Sequence, residues 1–95
     1  MNRHHTQEFA AASSIVNLEN SGTIHTVTLV PVDTCTVETT TSADPEDAGA
    51  VWIEWDAGAV LIDTQAVFDG PLTGIRATRT AGVTGGNKME VSSGG

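Results

Sequence analysis

Apolar and polar residues alternate along several short segments of this chain, which is the pattern of half-buried β-strands. The pattern, together with frequent β-branched residues and threonines, predicts strands at residues 14–18, 23–30, 34–42, 51–56, 59–68, 72–80 and 88–92. The strand pattern is interrupted at residues 20–22 and 56–58, and both interruptions end in Gly, as is typical of turns. This spacing predicts an all-β fold, namely a single small antiparallel β-sandwich of about seven strands.

Residues 51–80 have the strongest strand pattern, with three consecutive strands separated by two turns, and they contain both tryptophans. Gly58 and Gly70 are assigned to the turns, because glycine takes a positive φ at no steric cost. The alternation assigns seven inward positions to the core, at Val51, Ile53, Trp55, Val60, Ile62, Phe68 and Ile75.

Residues 1–14 lack the alternation, and only residues 7–12 have mild helical propensity. We therefore predict an extended N-terminal arm at residues 1–14, followed by the β-sandwich domain at residues 15–95. A polar terminus is ordered only when something holds it, so we expect the arm to contact a neighbouring subunit.

The charge of the chain is strongly acidic, at -8, from 12 Asp and Glu against 4 Lys and Arg. No Lys or Arg occurs from residue 4 to residue 75, whereas 11 of the 12 acidic residues fall there. Contacts to phosphate need clustered Lys and Arg, so we expect no direct binding to nucleic acid or to an anionic membrane. An acidic field of this kind complements a basic surface on a neighbour.

A chain of 95 residues makes one domain with a thin core. At this size folding buries only roughly 60 to 65% of the surface of the unfolded chain, so binding to a partner would add useful stability. No apolar run approaches the roughly 20 residues of a membrane span, and the N-terminus lacks a signal-peptide pattern. We expect synthesis and folding in a cytoplasm.

Candidate metal ligands are few. His4 and His5 are adjacent on the predicted arm without a third ligand, and the acidic loop at residues 44–49 lacks the ligand spacing of a calcium loop. His25 is predicted to be a surface or interface residue. Cys35 is the single cysteine, which excludes an internal disulfide and predicts a buried, inert thiol. We predict no metal and no cofactor.

Catalytic motifs are also weak. Glu54 and Asp56 could imitate a glycosidase carboxylate pair, but the chain is too small to enclose a sugar cleft. The sequence has no nucleophile elbow, no Cys/His pairing and no phosphate-binding glycine loop. Thr-x-Thr pairs at residues 26–28 and 78–80 suggest an ice-binding or carbohydrate-binding face, although β propensity accounts for them. We predict a protein that is not an enzyme.

Three sequence features together resemble small β-sandwich virion proteins of tailed bacteriophages. They are Trp-x-x-Trp-Asp-Ala-Gly from Trp52, Phe-Asp-Gly-Pro-Leu-Thr-Gly-Ile-Arg-Ala-Thr-Arg-Thr from Phe68, and a Gly-rich loop leading to Lys-Met-Glu-Val at residues 88–91. The resemblance covers roughly residues 23–92. It implies a structural role in the virion, with a head decoration or cement protein as the leading interpretation and the major capsid protein or other virion proteins as partners. By analogy it also implies a homo-oligomer, with a trimer as the expected state.

In this interpretation the arm and the outer face of the sheet bind the partner. The predicted partner-binding residues are Arg3 and Phe9 on the arm, and Trp52, Arg76 and Arg79 on the outer faces. Two alternatives stay open. The first is a tail, collar or head-fibre component. The second is a glycan-binding or receptor-binding module that uses the loops at residues 44–49 and 82–87.

Overall fold

The computed structural model describes residues 3–9, 13–18, 23–82 and 84–94; in residues 3–9 it describes the backbone and, of the side chains, only Thr6. These residues form eight β-strands and no helix. The strands are β1 (Arg3–Phe9), β2 (Ser13–Asn17), β3 (Ile24–Val30), β4 (Thr34–Thr40), β5 (Ile53–Glu54), β6 (Thr64–Asp69), β7 (Gly74–Ala81) and β8 (Asn87–Gly94). Seven of them have five residues or more, and β5 has two.

The strands form two four-stranded antiparallel sheets, one in the order β1-β8-β3-β6 and the other in the order β2-β7-β4-β5. The pairs are nested, because β1 pairs with β8, β2 with β7, β3 with β6 and β4 with β5. This is the strand order of an eight-stranded jelly roll, in which a long antiparallel ribbon folds over into two facing sheets. The predicted all-β antiparallel sandwich is confirmed.

The core lies between the two sheets and follows the period-2 alternation of the longer strands. In β8, for example, Met89 and Val91 are fully buried while the intervening positions are partly or fully exposed. The buried apolar residues are Val16, Leu18, Val27, Leu29, Cys35, Val37, Trp55, Ile75, Ala77, Met89 and Val91. Val60, Ala66, Phe68 and Leu72 pack against this core and are partly buried.

The first residues differ from the predicted arm. Residues 3–9 form an edge strand that pairs with β8 over seven positions, from Arg3 opposite Ser93 to Phe9 opposite Asn87. The physical reason is that an edge strand takes its stability from backbone hydrogen bonds to one neighbour, so it needs no hydrophobic alternation of its own. All the residues within 1–14 that the structure describes therefore belong to the sandwich, because Ser13 and Ser14 also pair in β2.

The predicted core assignments in residues 51–80 were correct for Trp55 and Ile75, and Phe68 and Val60 are partly buried. They were wrong for Val51, Ile53 and Ile62, which are 66%, 65% and 75% exposed. The reason lies in strand length. The predicted strand at residues 51–56 forms only β5, at the edge of its sheet, and the strand predicted to begin at residue 59 begins at Thr64. Alternation buries a side chain only where a second sheet covers it.

The two turn glycines have the predicted conformation. Gly58 has a φ of 68° and Gly70 a φ of 110°. At the first turn the Trp55 indole Nε1 donates a hydrogen bond to the Gly58 carbonyl at 2.6 Å, while the Trp55 backbone N–H donates to Val37 at 2.8 Å. These two bonds hold Trp55 in the core although the neighbouring residues are exposed.

Candidate functional site

One edge of the sandwich exposes an unusual number of large apolar side chains. We call the set Val51, Ile53, Leu61, Ile62 and Val67 the apolar edge; the five are 59% to 75% exposed. β5 and β6 are the outermost strands of their sheets on this side, with no further strand beside them in the part of the chain that is described. Single exposed apolar residues are normal on protein surfaces, whereas a cluster marks an interaction surface.

A cleft opens at the same edge, between the two sheets, with a volume of about 340 Å³. Ile53 from β5 and Val67 from β6 both line it, which places these two exposed side chains at one mouth. Trp55, Ala66 and Phe68 form its apolar interior wall. An apolar cleft beside two free strand edges can accept side chains of a docked segment.

Carboxylates surround the apolar edge. Glu54, Asp56, Asp63 and Asp69 are all exposed, and no Lys or Arg occurs between residues 4 and 75. Within the described residues none of the four makes an ion pair, and Glu54 accepts a hydrogen bond from the Thr36 hydroxyl at 2.7 Å. The edge therefore combines apolar area with uncompensated negative charge.

A second cluster lies on the outer face of the other sheet. The Arg76 guanidinium carbon lies 4.3 Å from the centre of the Trp52 ring, in cation–π geometry. Arg76 Nη2 and Nε donate to Glu38 Oε1 at 2.9 and 3.1 Å, and the Thr78 hydroxyl donates to the same oxygen at 3.2 Å. The cross-strand register explains the contact, because Glu38 lies directly opposite Arg76 in the pairing of β4 with β7.

Beside this cluster is an open groove of about 480 Å³. Trp52, Arg76 and Glu38 form its floor with Ile15, and the loop between β4 and β5 forms its wall, at Pro45, Glu46, Asp47, Ala48 and Ala50. Two turns stabilise this loop, because Asp44 Oδ1 accepts from the Glu46 N–H and Asp47 Oδ1 accepts from the Gly49 N–H. The groove is polar, and it can hold a hydroxylated or charged ligand.

Arg79 was predicted on an outer face of the sandwich, and the structure places it elsewhere. Arg79 lies on the same side of β7 as Ile75 and Ala77, which is the side that faces the core. Its side chain, at the end of the sandwich, is only 19% exposed. Its Nη1 lies 4.0 Å from Asp33 Oδ2. The period-2 direction of strand side chains requires this placement.

Asp33 is the centre of a buried polar anchor that sequence analysis missed. Its carboxylate accepts hydrogen bonds from the backbone N–H groups of Thr84 and Gly85 and from the Asn87 side chain, at 2.9 to 3.0 Å. Asn87 in turn accepts from the N–H groups of Val32 and Asp33, both at 2.7 Å. These donors, led by Gly85, lower the pKa of Asp33 to about 2. The anchor ties the β3–β4 turn to the β7–β8 loop.

Cys35 is buried, as predicted. Its thiol donates to the Asp33 carbonyl at 3.3 Å, and burial, with a smaller contribution from the Asp33 charge, raises the pKa of the thiol. His25, by contrast, was predicted at the surface and is fully buried. It lies opposite Ser93 in the β3–β8 pair on the inner face, with its Nδ1 2.7 Å from the Ser93 hydroxyl.

The two loops and the two threonine pairs that the sequence offered as ligand-binding features lie in different parts of the structure. The loops at residues 44–49 and 82–87 lie at opposite ends of the β4–β7 pair, roughly 20 Å apart for a seven-residue strand, so they cannot form one ligand site. The threonine pairs at residues 26–28 and 78–80 lie on different sheets. A single threonine face is therefore excluded.

The predicted partner residues are thus dispersed. Trp52 and Arg76 come together, Arg79 lies at one end of the sandwich, and Arg3 and Phe9 occupy the two ends of β1, with side chains outside the described part. Among the described residues, no group of three His, Cys, Asp or Glu side chains is arranged to hold a metal ion. The side chains of His4 and His5 are not among those that the structure describes.

Comparison of the chain with protein-family models and with curated proteins gave no match. Among the described residues no helix has the length and apolar character needed to cross a membrane.

Proposed function

We propose that this chain is a structural protein of a tailed bacteriophage virion, and that it decorates or cements the head shell by docking on the major capsid protein. The observation that carries the proposal is the apolar edge. Five large apolar side chains on and beside β5 and β6 are 59% to 75% exposed, and a partner that covers them would stabilise the folded chain. Cementing needs buried area between neighbours, on the order of 1,000 Å² or more for a specific contact, and it needs no catalytic group.

The fold is consistent with this role by analogy. Jelly rolls occur in viral capsid proteins, although they also occur in lectins and cupins, so the fold alone does not select a function. The acidic surface favours a basic partner over copies of the chain itself. A homo-oligomer, with a trimer as the expected state, remains part of the proposal and would use a surface other than the apolar edge.

Copy number tests the proposal. The chain should co-purify with particles from its native source through a density gradient, and quantitative mass spectrometry then gives the copies per particle. A number comparable with that of the major capsid protein supports a shell protein, and the few copies of one symmetric ring support the alternative of a tail, collar or fibre component. Absence from purified particles would contradict any virion role.

A second candidate function, a glycan-binding module, is favoured by the groove beside Trp52. An aromatic ring next to polar side chains is a common arrangement for sugar recognition, and the groove has room for a small saccharide. Binding to a glycan array that is lost in Trp52→Ala and retained in Ile53→Thr/Val67→Thr would favour this function. Absence of glycan binding by the wild-type protein would remove it.

A further inference from the structure

β6 is the outermost strand of its sheet and has a free backbone edge. β6 pairs with β3 on one side over six positions, and on the other side no described strand covers it. Such an edge presents unpaired N–H and C=O groups, which makes it a template for another strand. The sequence of β6, Thr-Gln-Ala-Val-Phe-Asp, contains neither the Pro nor the Lys that proteins often place on a free edge, and its one charged residue is Asp69 at the end.

The two faces of β6 differ in a way that defines the complementary strand. Thr64, Ala66 and Phe68 are partly buried and line the cleft between the sheets, whereas the alternate positions Gln65, Val67 and Asp69 are exposed. An added strand would therefore place one row of side chains over the cleft and the other row beside the exposed positions. Apolar residues suit the first row.

Charge decides what suits the second row. Asp63 precedes β6 and Asp69 is its last residue, while Glu54 ends the neighbouring β5 and Asp56 follows it; all four are exposed. A second copy of this chain at the same edge would bring eight carboxylates together without a Lys or Arg, because residues 4–75 contain none. Like charges opposite one another are destabilising across strands, and opposite charges are stabilising.

We propose that β6 accepts an added β-strand from a partner protein, and that this strand carries apolar residues on one face and Lys or Arg on the other. The added strand extends the β1-β8-β3-β6 sheet and places its apolar face over the cleft between the sheets, next to Ile53, Ala66 and Phe68. Its basic face lies beside Asp63 and Asp69. Backbone hydrogen bonds supply affinity, and the alternating side chains supply specificity.

This inference deepens the proposed function, on which it rests for the existence of such a partner. The virion role and strand binding at β6 can be contradicted independently of each other. Copy number in purified particles tests the virion role without reference to β6, and peptide binding in solution tests β6 without reference to any particle.

The test is an NMR titration of the ¹⁵N-labelled chain with synthetic peptides. A peptide of alternating Val and Lys is expected to bind, with chemical-shift changes concentrated in residues 51–69. A matched peptide of alternating Val and Glu should bind at least about tenfold more weakly, which corresponds to about 1.4 kcal/mol. A Val/Lys peptide with N-methyl groups on alternate residues should also lose binding, because it keeps the charge and the apolar face but lacks the backbone donors.

Two pairs of charge- and size-matched variants locate the site. Asp63→Asn/Asp69→Asn should weaken binding of the Val/Lys peptide, whereas Asp44→Asn/Asp47→Asn makes the same change in charge on the distant loop and should have little effect. Ile53→Thr should weaken binding, whereas Ile15→Thr, the same change on β2 at the opposite edge of its sheet, should not.

Three results would overturn the proposal. The first is equal binding of the N-methylated peptide, which would mean attraction without strand addition. The second is shift changes outside residues 51–69 or equal losses in both members of a variant pair. The third is sedimentation evidence for a dimer of the chain that the Ile53→Thr/Val67→Thr variant abolishes, since a second copy would then be the occupant of the edge.

Discussion

At the scale of the residue, Asp33 has the largest influence on the end of the sandwich. Its carboxylate is buried, and it accepts two backbone and one side-chain hydrogen bond from residues that are more than fifty positions away in the sequence. No local pattern in the sequence indicates such a contact, because neither Asp33 nor Asn87 belongs to a motif. Cys35, in contrast, could be assigned to the core from its residue type alone.

The lowered pKa of Asp33 predicts a specific acid dependence of stability. Its pKa falls from the ordinary 3.8 to about 2 on folding, so the charged form is favoured in the folded state. The contribution of the charged Asp33 to the free energy of unfolding is fully present above about pH 4 and is lost as the pH falls through about 2. Urea denaturation between pH 7 and pH 2 should show this loss in the wild type and a much smaller one in Asp33→Asn, which should also be less stable at pH 7.

Asp63→Asn is the control for that experiment, because it removes the same charge from an exposed position. It should keep the acid dependence of the wild type between pH 4 and pH 2. If Asp33→Asn and Asp63→Asn have the same profile, the anchor does not couple protonation to folding.

Gly82 should be far less tolerant of alanine than Gly58. Both have a positive φ, 89° and 68°, for which an alanine costs about 1 to 2 kcal/mol. A Cβ at Gly82 would also lie 2.6 Å from Asp33 Oδ1. A Cβ at Gly58 would have no described atom within 4 Å apart from those of its chain neighbours. Thermal unfolding should therefore show a larger loss for Gly82→Ala than for Gly58→Ala, and equal losses would contradict the close approach.

At the scale of the element, the sequence predicted strands well where both faces are distinct. β3, β4, β7 and β8 begin and end within a few residues of the predicted positions, because alternation, β-branched residues and Pro31 or Gly mark them. β1 was missed because an edge strand held by one neighbour needs no alternating pattern. Residues 51–56 and 59–68 were predicted as strands, whereas only Ile53–Glu54 and Thr64–Asp69 form them, because the alternation did not reveal that residues 56–63 lie beyond the covered part of the sheet.

Removal of β1 should destabilise the domain. Deletion of residues 1–9 leaves β8 without its seven-residue neighbour and turns an interior strand of the sheet into an edge. In a small domain, whose total stability is about 5 to 15 kcal/mol, this should lower the urea midpoint and accelerate amide exchange in β8. Deletion of residues 1–2, which precede β1, is the control and should leave the midpoint unchanged. An unchanged midpoint after deletion of residues 1–9 would mean that β1 behaves as the separate arm that the sequence predicted.

At the scale of the whole molecule, the jelly roll places the candidate surfaces at separate locations. The apolar edge, the groove beside Trp52 and the Asp33 anchor lie on one edge, one outer face and one end of the sandwich respectively. The sequence correctly predicted that Trp52 lies on an outer face, but the prediction that Val51, Ile53 and Ile62 lie in the core was wrong. Those side chains are now the main reason to expect a partner, because burial depends on the opposite sheet, which a local pattern does not describe.

The most direct test of the central proposal is rebinding of purified protein to particles that lack it. Particles are produced from the native source after deletion of the gene and incubated with wild type, with Ile53→Thr, or with Ile15→Thr, the same change on β2 at the opposite edge of its sheet. Bound copies per particle are then measured by quantitative mass spectrometry. We expect wild-type occupancy for the Ile15→Thr control and at least about tenfold weaker binding for Ile53→Thr, since the apolar area of Ile53 would be buried in the contact. Equal binding of the two variants would contradict docking through the apolar edge, and failure of the wild-type protein to bind would contradict the decoration role itself.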